Sequence, residues 1–442
     1  MSDLSDLYRS KLISSDEAAA MVKSGDVIDY YAFYASSQYF DAALAKRAGE
    51  LENVTIRSEL RLGPPMQTFA ADPLGKSFHL HSLFLGPLEN MVSTHCAGSI
   101  PGRLARYESF FERGELQSDF AAFMVSPPDA GGYLHFCPCP ALAKTDALTA
   151  KCFIAEINES YYPMRGSDDC RIHLSQVGYV VEGHNPPLID VPSPPPTDTE
   201  IRIADRILAE IVDGACLQIG YGSVPMAIAK RIADSDLKDL GIHTEVLPEG
   251  IMHIYNAGKI TGARKGIDRG KIIASILIGT HELIEFGRDC PDLYFHSSSY
   301  TNDPAIMSRN DNLITVNAFL EVDLLGQVNA ESIGHRTVSG TGGQLDFAIG
   351  SDLSKGGKAI LCGPSTYTRK NGGAGSRIVA TLTPGCVVTT PRSCVQYVAT
   401  EYGIVNLRGR NLRERAELLI GIAHPDFRDE LIQNAQRIGT WK

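Results

Sequence analysis

The chain of 442 residues has no run of lysine or arginine and no interleaving of basic with aromatic residues, and its net charge is -11. Nucleic-acid affinity rests on clustered cations that neutralise phosphates, so this balance argues against a nucleic-acid partner and favours solubility. No apolar run approaches the roughly 20 residues of a membrane-spanning helix, so no membrane partner is expected. The opening residues, Met1 to Arg9, are polar and lack the apolar core of a secretory signal. The ten cysteines show no pairing pattern. His135-Phe136-Cys137-Pro138-Cys139 offers half of a metal-ligand set, but no second cysteine or histidine pair stands at a matching spacing, so packing accounts for it better. The cysteines are scattered, among them Cys96, Cys152, Cys216, Cys362 and Cys394, and several sit inside apolar strand-like runs, which suits buried free thiols in a reducing compartment, the cytoplasm. The glycine-bearing loops at 220–225 and 339–343 carry no Gly-Lys-Ser/Thr and their glycine spacing fits no dinucleotide fingerprint, so nucleotide hydrolysis and hydride transfer have no support.

What is present is a soluble globular composition, 43% hydrophobic and 21% charged, on a chain long enough for two or three domains. Helix-like and strand-like stretches alternate. Helices are expected near 14–25, 38–49 and 141–150, and strands at 27–33, 54–60, 78–85, 120–125 and 152–157. Such alternation predicts α/β units with a largely parallel sheet. Val191-Pro192-Ser193-Pro194-Pro195-Pro196-Thr197-Asp198-Thr199 can continue neither a helix nor a central strand. It marks a boundary: an N-terminal α/β domain over 1–190, a proline-rich linker over 191–199 and a C-terminal α/β domain over 200–442. A helix capped by Asp198 or Thr199 opens the second half. Strands are expected there at 215–219, 240–247, 272–278, 293–296, 313–316, 358–362 and 378–382. The fold class is α/β, with two similar open-sheet domains.

Three features of the second half carry chemistry. Residues 240–247 read as a strand that Pro248 and Gly250 terminate, with Glu245 near its carboxyl end, the edge where α/β sheets place ligands. Gly220-Tyr221-Gly222-Ser223-Val224-Pro225 precedes a helix expected from about Met226, and Ser339-Gly340-Thr341-Gly342-Gly343 precedes a second helix. A glycine loop ahead of a helix leaves backbone N–H groups free for an anion or an oxyanion. Taken singly, the glutamate reads as a salt-bridge residue and each loop as a tight turn.

Together with Asp213 to Pro225, Leu240 to Glu245, Tyr300-Thr301-Asn302, Asn317 with Glu321-Val322-Asp323, Ser339 to Phe347, Ser376 to Val379, Thr400 to Gly403, Leu407-Arg408-Gly409 and Ala423 to Arg428, these stretches resemble the acetyl-CoA hydrolase/transferase family. Within that family, a group of class I CoA-transferases, they are most similar to the butyryl-CoA and 4-hydroxybutyrate CoA-transferase type. Ser126-Pro127-Pro128-Asp129 and Phe84-Leu85-Gly86 extend the resemblance into the first half. The resemblance implies transfer of CoA between an acyl-CoA and a short-chain acid (butyrate, 4-hydroxybutyrate or acetate), by ping-pong exchange through a glutamyl-CoA thioester on Glu245. Carboxylates serve as covalent nucleophiles, and dividing one hard step into two accounts for such kinetics. The resemblance further implies oxyanion donors at the Tyr221 N–H and in Gly342-Gly343, and CoA contacts at Gly222, Ser223, Val224, Pro225, Met226 and Gly343. Asn302 and Glu401 match positions near the reacting centre. His243 shares a strand face with Glu245 and reads as structural or supporting, since a carboxylate nucleophile needs no base. No permanently bound cofactor and no metal is expected; CoA and acyl-CoA are substrates. A homodimer or larger homo-oligomer is implied.

Three departures from the family pattern bear on the acid. Val246-Leu247-Pro248-Glu249-Gly250 follows the nucleophile where relatives carry Met and an Asp-Gly turn. Gly262 stands where an asparagine is expected. Tyr30, Tyr31, Phe33 and Tyr34 replace a small, glycine-rich run. All three are expected near the acyl group. Alternatives are a succinyl-CoA:dicarboxylate (itaconate-type) transferase, with Arg61 as a second cation, an acyl-CoA hydrolase, and a non-catalytic acyl-CoA-binding protein.

Overall fold

The computed structural model describes residues 2–92, 96–437 and 439. The chain divides into two units, Met1–Asp190 with Ser275–Tyr300, and Val191–Ala274 with Thr301–Lys442. The division after Asp190 falls at the proline-rich stretch. Residues 275–300, expected in the second domain, belong to the first unit, because helix–strand alternation along the chain does not say which unit a segment packs into.

The first unit is built on one parallel sheet of β1 (Val27–Phe33), β2 (Val54–Arg61), β3 (Phe78–Phe84), β4 (Ala97–Ser99), β5 (Phe120–Val125), β6 (Cys152–Ile157) and β7 (Tyr179–Glu182). Their order is β4-β3-β2-β1-β5-β6-β7. A parallel sheet covered on both faces reads as an unbroken apolar run, as β5 does: Ala121 to Val125 are all fully buried. The aromatic run at the end of β1 is buried too. Tyr31 and Phe33 take φ of 58° and 53°, where the pairing with β2 is irregular. Left-handed backbone at such residues costs on the order of 1–2 kcal/mol each, and packing holds it: Tyr31 donates to the Cys139 carbonyl at 2.7 Å and its ring lies 4.8 Å from that of Phe123.

The second unit's strands are β8 (Cys216–Ile219), β9 (Gly241–His243), β10 (Ile272–Ala274), β11 (Leu313–Ala318), β12 (Lys358–Cys362), β13 (Tyr397–Thr400) and β14 (Gly403–Asn406). Within this unit the order runs β10-β9-β8-β11-β12-β13-β14, parallel up to β13 and closed by an antiparallel hairpin. The chain leaves β8 toward β9 on one side and returns to β11 on the other. β8 therefore borders the switch point, where open α/β sheets bind ligands beyond the carboxyl ends of their strands. Val322, Val328, Leu361, Val398, Leu407 and Leu419 form a core at the far end of this sheet.

Two helix starts differ from expectation. Helix Asp198–Leu208 is capped by Thr197, one or two residues earlier than predicted, because Thr197 and Glu200 form a reciprocal capping box. Helix Ser223–Ala233 begins three residues before Met226, since Pro225 fits a first turn that has no use for its N–H. The proline-rich stretch is held to the second unit: Tyr221 Oη donates to the Pro192 carbonyl at 2.8 Å, and Ser193 N donates to Glu249 Oε2 at 3.2 Å. All ten cysteines are free and most are buried. No helix among the described residues is long and apolar enough to cross a membrane.

Candidate active site

Residues 240–247 do not form one continuous strand. β9 stops at His243, and Glu245 occupies a bend before the short extended pair Val246–Leu247. Thr244 makes the break. Its N–H gives a last sheet bond to the Ile273 carbonyl at 2.9 Å, while its hydroxyl bonds the Val246 carbonyl at 2.8 Å and folds the chain back on itself. Such side-chain bonds to nearby backbone compete with a sheet ladder. The bend delivers Glu245 to the carboxyl edge of the sheet.

Asn302 Nδ2 donates to Glu245 Oε2 at 2.6 Å. The Gly343 N–H donates to the same carboxyl group. Asn302 is fully buried between the one-turn helices Ser298–Thr301 and Pro304–Met307, the second capped by Asp303 with proline in its first turn. Gly343 caps helix Gln344–Leu353, and Gly342 before it has a φ of 53°. A Cβ on Gly343 would collide with Glu245 Oε2 and Asn302 Nδ2, so only glycine brings this backbone against the carboxyl group. Gln344 anchors the helix start by donating to the Ala318 carbonyl at 2.7 Å, at the end of β11.

Glu245 keeps some solvent access as a residue, yet its carboxyl end lies in dense protein surroundings. Burial pushes the carboxyl up to about 7, and the bonds from Asn302 and Gly343 pull the other way. Desolvation wins because two neutral donors recover only part of what water supplied.

The first glycine loop follows β8, the neighbour of β9, with Cys216 level with Gly241 and Leu217 with Ile242. Adjacent strands lie about 4.8 Å apart, so the loop and Glu245 share one stretch of sheet edge. Gly222 has a φ of 132° and caps helix Ser223–Ala233 with no side-chain bond to the first turn. Gly222, Ser223, Val224, Pro225 and Met226 are all half-buried. Ser223 Oγ is engaged by Glu200 Oε1 at 2.5 Å, and the Tyr221 side chain runs to the linker, leaving the backbone of this turn as the group it offers.

Glu401 follows β13 on the same edge, four strand spacings or about 19 Å from β9. Both of its oxygens are engaged by Ser365, through N at 2.9 Å and Oγ at 2.6 Å. The structure thus groups Glu245, Asn302 and Gly343 in contact, puts the Gly220–Met226 loop one strand over, and sets Glu401 apart. Sequence reasoning left open how His243 supports the site. It is fully buried, and its Nε2–H donates to the Thr301 carbonyl at 2.8 Å, next to Asn302.

Residues at the departures from the family pattern are packed into the protein. Leu247 and Glu249 are buried, and Gly250 packs so closely on helix Ser223–Ala233 that a Cβ there would meet that of Ala229. Gly262 has a φ of 62°, a backbone conformation that asparagine also tolerates. Arg61 is only 2% exposed; its Nε donates to the Pro64 carbonyl at 2.7 Å and its Nη2 lies 3.9 Å from Asp41 Oδ2, so it braces the first unit.

Known proteins match nearly the whole length of this chain. The acetyl-CoA hydrolase/transferase N-terminal domain matches residues 2–191 and the C-terminal domain of the same family matches residues 279–435. A probable butyrate:acetyl-CoA coenzyme A-transferase of Syntrophomonas wolfei is 40% identical over 441 residues, covering 98% of this chain and 97% of the relative. A butyryl-CoA:acetate CoA-transferase of Anaerostipes caccae is 39% identical, with 98% of each chain covered. The crystal structure of a 4-hydroxybutyrate CoA-transferase from Porphyromonas gingivalis superposes with a TM-score of 0.80 at 32% identity, covering 98% of this chain and 99% of that one. The chain belongs to the acetyl-CoA hydrolase/transferase family, on its CoA-transferase branch.

Proposed function

We propose that this CoA-transferase moves CoA between an acyl-CoA and a short-chain carboxylic acid of the butyrate, 4-hydroxybutyrate or acetate type, with Glu245 as the covalent carrier. The supporting observation is a carboxyl group at the sheet edge, raised to about 7 and held by one side-chain amide and one glycine N–H. A Glu245 carboxylate oxygen attacks the acyl-CoA carbonyl. The C–S bond breaks, CoA thiolate leaves with the electron pair, and a mixed anhydride remains. The thiolate then attacks the glutamyl carbonyl and expels the acyl carboxylate, giving glutamyl-CoA. A second carboxylate reverses both steps on its own acyl group. Thioester and carboxylates balance the exchange, so the reaction calls for no resident cofactor or metal.

When attack falls on the glutamyl carbonyl, its oxygen becomes the oxyanion, and Asn302 Nδ2 and the Gly343 N–H are its donors. A preorganised donor of this kind is typically worth about 3–4 kcal/mol. The Tyr221 N–H, on the neighbouring loop, serves the substrate acyl oxygen when attack falls there. The backbone of Gly222 to Met226 receives CoA at the uncapped start of helix Ser223–Ala233. Glu401 acts indirectly, by holding the loop at Ser365. The enzyme works in the cytoplasm, where its free thiols stay reduced. It assembles as a homo-oligomer through surface such as the exposed Ile333, Val387 and Val388, gathered where Val387 N bonds Ser332 Oγ.

Incubation with butyryl-CoA and labelled acetate tests the reading. Labelled acetyl-CoA should form much faster than free CoA. Free CoA released without label exchange would make the protein a hydrolase, and neither product would make it a binding protein.

A further inference from the structure

Glu245 and the residue that supports its partner stand two positions apart on one strand end. His243 Nε2–H donates to the Thr301 carbonyl at 2.8 Å. That carbonyl belongs to the peptide joining Thr301 to Asn302. The Thr301 hydroxyl donates to Asn302 Oδ1 at 3.0 Å, and Asn302 Nδ2 donates to Glu245 Oε2 at 2.6 Å. Backbone and hydrogen bonds thus close a ring: Glu245, Thr244, His243, the Thr301 carbonyl, Asn302, and back to Glu245.

Each bond in the ring has a direction. A carbonyl only accepts, so the imidazole carries its proton on Nε2. An amide presents Oδ1 on one side and Nδ2 on the other, and the hydroxyl on Oδ1 turns Nδ2 toward the carboxyl group. The opposite flip would set two acceptors 2.6 Å apart. His243, Thr301 and Asn302 are all fully buried, so water is a poor substitute for a lost bond.

We propose that His243 is a positioning residue for acyl exchange. Through the Thr301 carbonyl it holds the Asn302 amide as a donor to the glutamyl oxygen that becomes the oxyanion, with the Thr301 hydroxyl setting the direction of that amide. This rests on Glu245 being the nucleophile. His243 and the Thr301 carbonyl are fully buried and bonded to each other, so loss of that bond should slow the attack at Glu245 rather than weaken substrate binding.

The test compares the single-turnover rate of Glu245 modification by butyryl-CoA in the parent and in His243→Leu, His243→Gln, Thr301→Val, Thr301→Ser, Asn302→Ala and His243→Leu/Asn302→Ala. His243→Leu and Thr301→Val should lower the rate about 10- to 100-fold with KM for butyryl-CoA within about twofold. His243→Gln, which offers an amide N–H at a similar reach, and Thr301→Ser should recover most of it. The double variant should be no slower than Asn302→Ala, because His243 acts through that residue. A His243→Leu enzyme at the parental rate, an effect on KM alone, or a double variant slower by the product of the single effects would overturn the proposal. If His243→Leu fails to fold, as circular dichroism would reveal, the Thr301 pair decides the matter by the same criteria. A parent enzyme that acquires no modification on Glu245 would instead refute the nucleophile assignment, whatever the variants do.

Discussion

Glu245 and Glu401 each follow a parallel strand at the carboxyl edge of one sheet, and they are held in opposite ways. Glu401 gives one oxygen to the Ser365 N–H and the other to the Ser365 hydroxyl, a short-range cap that ties one loop to one strand. Glu245 is met by an amide from the chain after Thr301 and by a glycine N–H from the loop before helix Gln344–Leu353. The first arrangement satisfies a carboxylate for good. The second holds a carboxyl group by donors that also fit an acyl oxygen, while burial keeps the group basic. Two glutamates after strands of one sheet are therefore held differently, one closed off by a single serine and one, pushed up to about 7 by burial, held by donors from two loops.

The largest effect that would break this comparison is expected from Glu245→Gln, which should reduce CoA exchange by at least about 10⁴-fold, as loss of a covalent nucleophile does. Gly343→Ala comes next. Its methyl must push aside Glu245 and Asn302, and exchange should fall by on the order of 10³-fold, with the fold intact by circular dichroism. An enzyme that tolerated this alanine would break the link between the glycine loop and the glutamate.

A pH profile sharpens the contrast further. With the ionised Glu245 carboxyl as the proposed nucleophile, the acylation rate should climb about tenfold per unit below a midpoint near 7 and level off above it. The same shift bears on stability. A carboxyl raised from 4.5 to about 7 binds its proton more tightly when folded, so stability is fully present below about 4.5 and is lost as pH rises toward 7. Glu245→Gln escapes that loss. Denaturant titrations should find the variant gaining on the parent across this window, by on the order of 2–3 kcal/mol.

Glu401→Gln should have the smallest effect. Removing one charged acceptor from Ser365 should cost about 1–2 kcal/mol of stability and less than about tenfold in exchange. A loss as deep as that of Glu245→Gln would show the two glutamates to be partners in the chemistry.

Much of this fold can be read from the chain because its strands are apolar and its turns are punctuated. Residues 27–33 and 120–125 read as strands and are strands, since one run of β-formers meets one buried sheet. The break at Thr244 was harder to foresee. β-branched Ile242, Thr244 and Val246 look like a continuing strand, and only the Thr244 hydroxyl turning to the Val246 carbonyl interrupts it. The return of residues 275–300 to the first unit leaves no local trace, because the unit a segment packs into is set by long-range contacts. That Glu245 lies at the carboxyl edge of the sheet was legible from the apolar stretch before it and the Pro248 and Gly250 after it. The role of His243 as a donor to Thr301, 58 residues on, was not, because a buried histidine leaves no mark of what it bonds.

The central claim is that Glu245 carries CoA, and trapping the carrier tests it most directly. Enzyme incubated with butyryl-CoA, reduced with borohydride, digested and analysed by mass spectrometry should carry one reduced glutamyl residue, in the peptide that contains Glu245, and should lose activity in step with that modification. Full exchange activity with no modification at Glu245, or modification of a different residue, would contradict the account.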